Sequence, residues 1–166
     1  MANINRPNGF HAQPPYCSPH MYEVDADSAT AVFKGNMMML NADGYAANAT
    51  AASTALLGST DDFLAGSTAG EITIHDDPDQ LYSAQDDGSG TPAQTDIGNN
   101  ADHVATAGVT ALRLSKHQIA LSTAVNTTEG FTLLSLLEAP GRTIGDNAVW
   151  LVRVMEHLMR TGKTTV

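Results

Sequence analysis

Residues 69–88 of the chain read AGEITIHDDPDQLYSAQDDG, and this stretch decides the predicted fold. In residues 71–75, Ile72 and Ile74 alternate with polar side chains, which is the period of a strand with one buried face. Residues 80–85 form a second strand-compatible run, and the Asp-Asp-Pro-Asp sequence between the two runs favours a turn. The stretch therefore predicts two short strands, joined either as a β-hairpin or by a tight corner.

Further strand-like runs, separated by turn signals, lie on both sides of this stretch. They cover residues 31–33, 37–40, 55–58, 103–106, 112–115, 119–122 and 131–137. Residues 46–54 predict a loop or weak strand, and residues 149–158 fit both a helix template and a strand. We assign residues 149–158 to a strand because Val and Trp favour strands. Many short strands with regular turn signals predict a mainly β protein, a compact β-barrel or β-sandwich.

Three consecutive methionines, Met37, Met38 and Met39, lie in one of these runs. Neighbouring residues of a strand point to opposite faces, so we interpret the run as core filling on both faces rather than as a soft metal site. Residues 41–44, Asn-Ala-Asp-Gly, then predict a turn, since Gly44 suits a positive φ.

The first 23 residues differ in character from the rest of the chain. Their four prolines disfavour regular ladder or helix bonding, and hydrophobic periodicity is absent. Apolar anchors are nevertheless spaced along the segment, at Phe10, Tyr16, Met21 and Tyr22. We therefore predict an extended N-terminal arm over residues 1–23, lying on its own domain or on a neighbour, and a single β-rich domain over residues 24–166.

The charge balance argues against two classes of partner. The 166 residues contain 8 Lys and Arg against 18 Asp and Glu, a formal charge of −10. Nucleic acid and anionic membranes attract clustered basic residues, so neither is a predicted partner. One cysteine excludes an internal disulfide framework, and neither a signal-peptide core nor a run of about 20 apolar residues is present. The sequence predicts a soluble protein made in the cytoplasm.

Candidate chemistry is sparse. The acidic group Asp76, Asp77, Asp79, Asp86 and Asp87 offers oxygen ligands for Ca²⁺, but it lacks the spacing of an EF-hand, and aspartate also belongs in turns. The six histidines, at positions 11, 20, 75, 103, 117 and 157, show no metal-binding spacing. Cys17 has no activating neighbour in the sequence, and we interpret His157 beside Glu156 as an interface or hydrogen-bonding pair.

Sequence motifs for nucleophilic catalysis, phosphate binding and dinucleotide binding are absent. Residues 162–164, Gly-Lys-Thr, lack the upstream glycine of a P-loop. The sequence therefore predicts no catalytic, cofactor-binding or metal residue and no cofactor, and the protein is not predicted to be an enzyme.

Taken in order, five parts of the chain resemble small structural proteins of tailed bacteriophages, the capsid decoration or cement family. They are MANINRPNGF at 1–10; TAVFKGN at 30–36 with LNADG at 40–44; AG at 69–70 with DDPDQ at 76–80 and QDDG at 85–88; DIGNNAD at 96–102; and NAVWLVRVMEH at 147–157. None of these motifs is catalytic, and together they span nearly the whole chain.

The resemblance implies a compact, β-tulip-like domain on the outer surface of an assembled capsid. It implies a homotrimer that stabilises the virion by bridging subunits of the major capsid protein. We expect the arm to reach a capsid subunit or a sister copy by strand addition or by an extended surface contact. Deletion of residues 2–20 is then expected to weaken capsid binding. Two alternatives remain, a host- or glycan-binding β-domain displayed on the virion and a tail-tube or connector subunit.

Overall fold

The computed structural model describes residues 3–51, 53–125, 130–137 and 143–161, which form two antiparallel sheets. Sheet A has the strand order β1 (His11–Gln13), β7 (Leu81–Gln85), β11 (Val149–Val154), β10 (Phe131–Leu136), β8 (Asn100–Val104) and β9 (Gln118–Val125). Sheet B has the order β2 (His20–Val24), β6 (Gly70–His75), β5 (Leu56–Thr60), β3 (Met37–Leu40) and β4 (Ala46–Asn48). One helical turn, α1 (Leu158–Thr161), and a 3₁₀ turn (Gln94–Asp96) complete the described elements.

The mainly β prediction is confirmed. Over the described residues neither sheet closes into a barrel, and the pair of open sheets is compatible with a sandwich.

The stretch at residues 69–88 forms the connection between the two sheets. Both predicted strands exist, but β6 pairs with β2 and β5 in sheet B, whereas β7 pairs with β1 and β11 in sheet A. The tight corner is therefore correct and the hairpin is wrong. In the corner, the backbone N–H of Gln80 donates to the Asp77 carbonyl at 3.0 Å, and the N–H of Asp79 donates to Asp77 Oδ1 at 2.7 Å.

Two apolar clusters cover sheet B on both faces. The first joins side chains of sheet A, including Trp150, with Phe10 and with Met37 of β3. The second contains Met38 of β3 together with Ile72 and neighbouring apolar residues. Because Met37 and Met38 are consecutive strand residues and both are fully buried, the prediction that the methionine run fills core on both faces is confirmed.

The N-terminal residues are part of both sheets. β1 forms one edge of sheet A, β2 forms one edge of sheet B, and the boundary predicted at residue 23 falls inside β2. The prediction that this segment lacks ladder bonding is wrong, because its four prolines lie before and between the two short strands and leave both strands free of proline. We refer to residues 3–24 as the N-terminal segment.

Several other predictions can be compared with the described residues. The strands predicted at 55–58 and 131–137 are present as β5 and β10. The strand predicted at 149–158 is present as β11 only as far as Val154, because Leu158 begins α1, and of the loop or weak strand at 46–54 only residues 46–48 form a strand, β4. The strand predicted at 112–115 is wrong, because these residues form a turn in which Arg113 has a φ of 54° and Leu112 is exposed. The alternation of leucines there reflects one turn, with Leu114 making single bridges to Lys34 and Val109.

Gly58 in β5 gives the first testable prediction. A Cβ at this position would lie 1.9 Å from the His75 carbonyl oxygen, and the φ of Gly58 is 151°. We expect Gly58→Ala to lower the free energy of unfolding by about 3–5 kcal/mol, since overlap with a backbone atom adds to conformational strain. The measurement is urea unfolding followed by Trp150 fluorescence.

Gly44→Ala is the matched control for this substitution. Gly44 also has a positive φ, 92°, but nothing lies within 4 Å of its added Cβ. Gly44→Ala should therefore lower the free energy of unfolding by only about 1–2 kcal/mol. Equal losses for the two variants would show that close approach at residue 58 does not matter.

Candidate functional site

The predicted acidic group is divided between the two ends of β7. Asp76 is buried just after β6, where His20 Nδ1 lies 2.8 Å from its Oδ1 and the Tyr22 hydroxyl donates to its Oδ2 at 2.5 Å. Partial burial and this carboxylate raise the pKa of Tyr22. Asp79 is exposed in the corner and pairs with Arg160 and, at 3.8 Å, with Arg153.

Asp86 lies at the opposite end of β7 and is fully buried. Its Oδ1 accepts the backbone N–H groups of Gly88 at 2.8 Å and Asn147 at 3.0 Å, while its Oδ2 has no hydrogen-bond partner within the described ranges. Burial raises the pKa of this carboxyl. Asp87 bonds to Ser89 beside it. In the part of the chain that the structure describes, no three His, Cys, Asp or Glu side chains form a group that could hold a metal ion.

Cys17, His75 and His157 have different partners and do not form a common site. Desolvation and the Asp77 carboxylate raise the pKa of the Cys17 thiol, which is the opposite of nucleophile activation. His75 Nε2 lies 2.9 Å from Asp61 Oδ2. The ring of His157 is buried and its Nδ1 accepts the Met159 N–H at 3.1 Å, so it faces its own helical turn rather than an open interface.

Two buried glutamines that sequence reasoning did not select hold the N-terminal segment against β7. Gln80, before β7, donates from Nε2 to the Gln13 carbonyl at 2.7 Å and accepts the Cys17 N–H at 3.0 Å. Gln85, at the end of β7, donates to the Ile4 carbonyl at 2.7 Å and accepts the Arg6 N–H at 2.9 Å. Each amide side chain therefore both donates to and accepts from backbone groups of the N-terminal segment that lie outside its strand pairing or at its edge. In sequence these glutamines look like ordinary polar strand ends.

Phe10 anchors the same segment between the side chains of Gln80 and Gln85, which we call the glutamine clamps. Its ring stacks on Phe131 with centroids 4.6 Å apart, and its backbone N–H donates to the Gly35 carbonyl at 2.8 Å. A Cβ on Gly9 would lie 2.4 Å from that carbonyl oxygen, so only glycine permits this approach. At its start, the Asn3 amide donates to the carbonyls of Thr143 and Asp146 at 2.9 and 3.1 Å.

The clamped segment presents apolar side chains to solvent. Ile4, Tyr16 and Met21 are 79%, 67% and 64% exposed, and they lie along the segment from the Gln85 end of β7 to β2. When a partner covers an exposed apolar side chain whose backbone is already ordered, little additional conformational entropy is lost. An ordered backbone therefore carries three exposed apolar side chains along this segment. Trp150, by contrast, is fully buried and offers no stacking face.

Comparison with protein-family models, with curated proteins and with solved structures found no match to this chain. Among the residues that the structure describes, no helix is both long and apolar enough to span a membrane.

Replacing Gln80 tests the clamp. Gln80→Ala removes the partners of the Gln13 carbonyl and the Cys17 N–H, so we expect the free energy of unfolding to fall by about 2–3 kcal/mol. Hydrogen exchange at the Cys17 amide should also accelerate. Gln94→Ala, at an exposed position, is the control and should change stability by less than about 0.5 kcal/mol. The clamp is not needed if both variants unfold at the same urea concentration.

The buried Asp86 gives a prediction with a pH dependence. Because burial raises its pKa in the folded state, ionisation opposes folding, and stability attributable to this group falls as the pH rises above the unfolded pKa, about 3.9. Asp86→Asn keeps the acceptor for Gly88 and Asn147 without the charge, so it should be at least as stable as wild type at pH 7. Asp86→Ala should lose about 1–3 kcal/mol.

The measurement is thermal unfolding at pH 4 and pH 7, with Asp43→Asn on the exposed 41–44 turn as control. A lower melting temperature for Asp86→Asn than for Asp86→Ala at pH 7 would contradict this account of the carboxyl.

Proposed function

We propose that this chain is a structural virion protein that binds the outer surface of a tailed-phage capsid. It stabilises the capsid by bridging major capsid protein subunits, and it acts as a homotrimer of sandwich-like β-domains. The proposal starts from the ordered resemblance to decoration proteins, which covers nearly the whole chain.

The segments that carry the resemblance also contact one another in the folded chain. Phe10 of the first segment bonds to Gly35 of the second, and Asp86 of the third accepts the N–H of Asn147 in the last. Ala101 of the fourth segment lies with Phe10 and Trp150 in one apolar cluster. Motifs that define a common fold are expected to contact one another. These contacts therefore support treating the five motifs as one family pattern.

The observation that carries the function is the clamped N-terminal segment with its outward Ile4, Tyr16 and Met21. The N-terminal segment is held in an ordered form at the edges of both sheets, so it loses little conformational entropy when it contacts a neighbouring subunit. The formal charge of −10 suits a partner with basic surface, because complementary charge speeds encounter and favours one orientation.

Trimerisation would turn weak single contacts into firm attachment. Three copies that engage neighbouring capsid subunits together act at high effective concentration, so no single contact has to be strong. Binding to the assembled lattice and not to free subunits stabilises the lattice by linkage.

Solution mass and capsid rebinding test this function. We expect light scattering to give three times the 17.4 kDa chain mass, and the protein to rebind capsids stripped of it and raise their melting temperature. A monomer that leaves capsid melting unchanged would overturn the proposal and direct attention to glycan binding. Rings or tubes in electron micrographs of the purified protein would instead indicate a tail-tube or connector subunit.

Point variants locate the capsid contact better than a deletion of residues 2–20, which would also remove the buried Phe10 and β1. Ile4→Ser, Tyr16→Ser and Met21→Ser together should weaken capsid binding at least about tenfold while leaving the melting temperature of the free protein within a few degrees.

Leu112→Ser with Met159→Ser is the matched control, since these side chains are 65% and 56% exposed but lie outside the N-terminal segment. Equal binding by the control and the triple variant would place the capsid contact elsewhere on the domain.

A further inference from the structure

Two histidines from separate elements meet beneath the anchor of the N-terminal segment. His103 of β8 and His117, just before β9, are both buried, and their ring centroids lie 5.3 Å apart. The rings of Phe10 and Phe131 lie edge-on to His103, at 6.3 and 6.2 Å. His103 therefore packs directly against Phe10, and His117 packs against His103.

The hydrogen bond of His117 requires a neutral ring, and the buried surroundings of His103 favour one. His117 Nδ1 accepts the backbone N–H of Met37 at 3.3 Å, so this nitrogen carries no proton. His103 bonds to the backbone of Ala49, and its Nε2 is buried without a hydrogen-bond partner among the described residues. A proton on His103 Nε2 would therefore place a charge among aromatic rings with nothing there to bond to it.

Few charged groups face the pair. Asp102, on the same strand as His103, is the carboxylate that acts on that ring, and His103 is the group that acts on His117. β3, β9 and β10 contain no ionisable side chain. The N-terminal segment brings His11, and the adjoining loops bring Lys34 and Lys116. Among the described residues, Asp102 is thus the carboxylate that acts on the pair, and Glu156 lies close enough to act on Asp102.

We propose that the His103–His117 pair is an acid-sensitive lock on the N-terminal segment: while both rings are neutral they seat Phe10, and protonation releases residues 3–13 from the two-sheet body. Release at the N-terminal segment precedes global unfolding because this segment is an edge, held by Phe10, β1 and side-chain clamps, whereas β10 and β11 are interior strands of sheet A. The lock concerns the free chain and does not depend on the proposed function.

The direction of the pH dependence follows from burial. Burial lowers the pKa of His103 to about 4, and burial with the nearby His103 lowers that of His117 to about 3. A released ring would titrate near its ordinary value, about 6.5. The seated state is thus fully favoured above pH 6.5 and loses stability as the pH falls toward 4. Burial also lowers the pKa of His11, which acts in the same direction.

Hydrogen exchange at the Phe10 amide, which donates to Gly35, measures the lock directly. After correction for intrinsic exchange, protection of this amide should fall about tenfold per pH unit below pH 6 for each histidine that gains a proton on release. Amides of β11 and Trp150 fluorescence should hold their values over the same range. Constant protection at Phe10 between pH 6 and 4, or loss in step with β11, would overturn the lock.

Variants assign the effect to the pair. His103→Asn and His117→Asn remove both titratable rings, and the amide oxygen introduced at position 117 can still accept the Met37 N–H. The double variant should therefore lose most of the pH slope at Phe10. His20→Asn, at an exposed ring, should keep the full slope. An unchanged slope in the double variant would refute the assignment.

Imidazole proton shifts of the wild-type protein give a test that needs no variant. Both rings should remain neutral at pH 5, and titration of either near pH 6.5 in the folded protein would also overturn the lock.

Discussion

The close contact between β5 and the end of β6 is the constraint on which the two-sheet arrangement depends. At this point the His75 carbonyl occupies the space of a Cβ on Gly58, and the Tyr82 hydroxyl of β7 donates a hydrogen bond to the same carbonyl. The chain can therefore leave sheet B at His75 and enter sheet A at Leu81 without leaving a buried carbonyl unpaired. Both apolar clusters pack around this connection between β6 and β7, since Ile74 belongs to one cluster and Tyr82 to the other.

The N-terminal segment depends on this connection between the sheets in turn, because its two glutamine clamps lie at the two ends of β7. Gln80 and Gln85 bracket the strand, and each satisfies backbone groups that a proline-rich chain cannot pair in a regular ladder. Between them, Phe10 completes the cluster that sheet A shares with Met37. Order in the segment thus comes from the pairing of β1 and β2, from buried amides and from one aromatic anchor, while Ile4, Tyr16 and Met21 stay exposed.

Much of the fold could be predicted because strand period is a local property. Ile72 and Ile74 alternate with polar neighbours, and the consecutive methionines required two buried faces, so strand positions followed from neighbouring residues alone. The prediction failed where partners are distant. Leu112 and Leu114 alternate like a strand but lie in a turn, and β1 and β2 exist because distant strands offer them pairing. The glutamine clamps join residues 63 or more positions apart, which no local pattern reveals.

By itself the sequence determined a mainly β chain, acidic and poor in cysteine, with a turn at residues 76–79 and an unusual N-terminal segment. Tertiary structure decided that β6 and β7 belong to different sheets, that Asp76 and Asp86 are buried apart, and that Phe10 lies above His103. The physical reason is that alternation and turn chemistry act between neighbours in the chain. Sheet membership, burial and proton affinity are set by which distant side chains exclude water from one another.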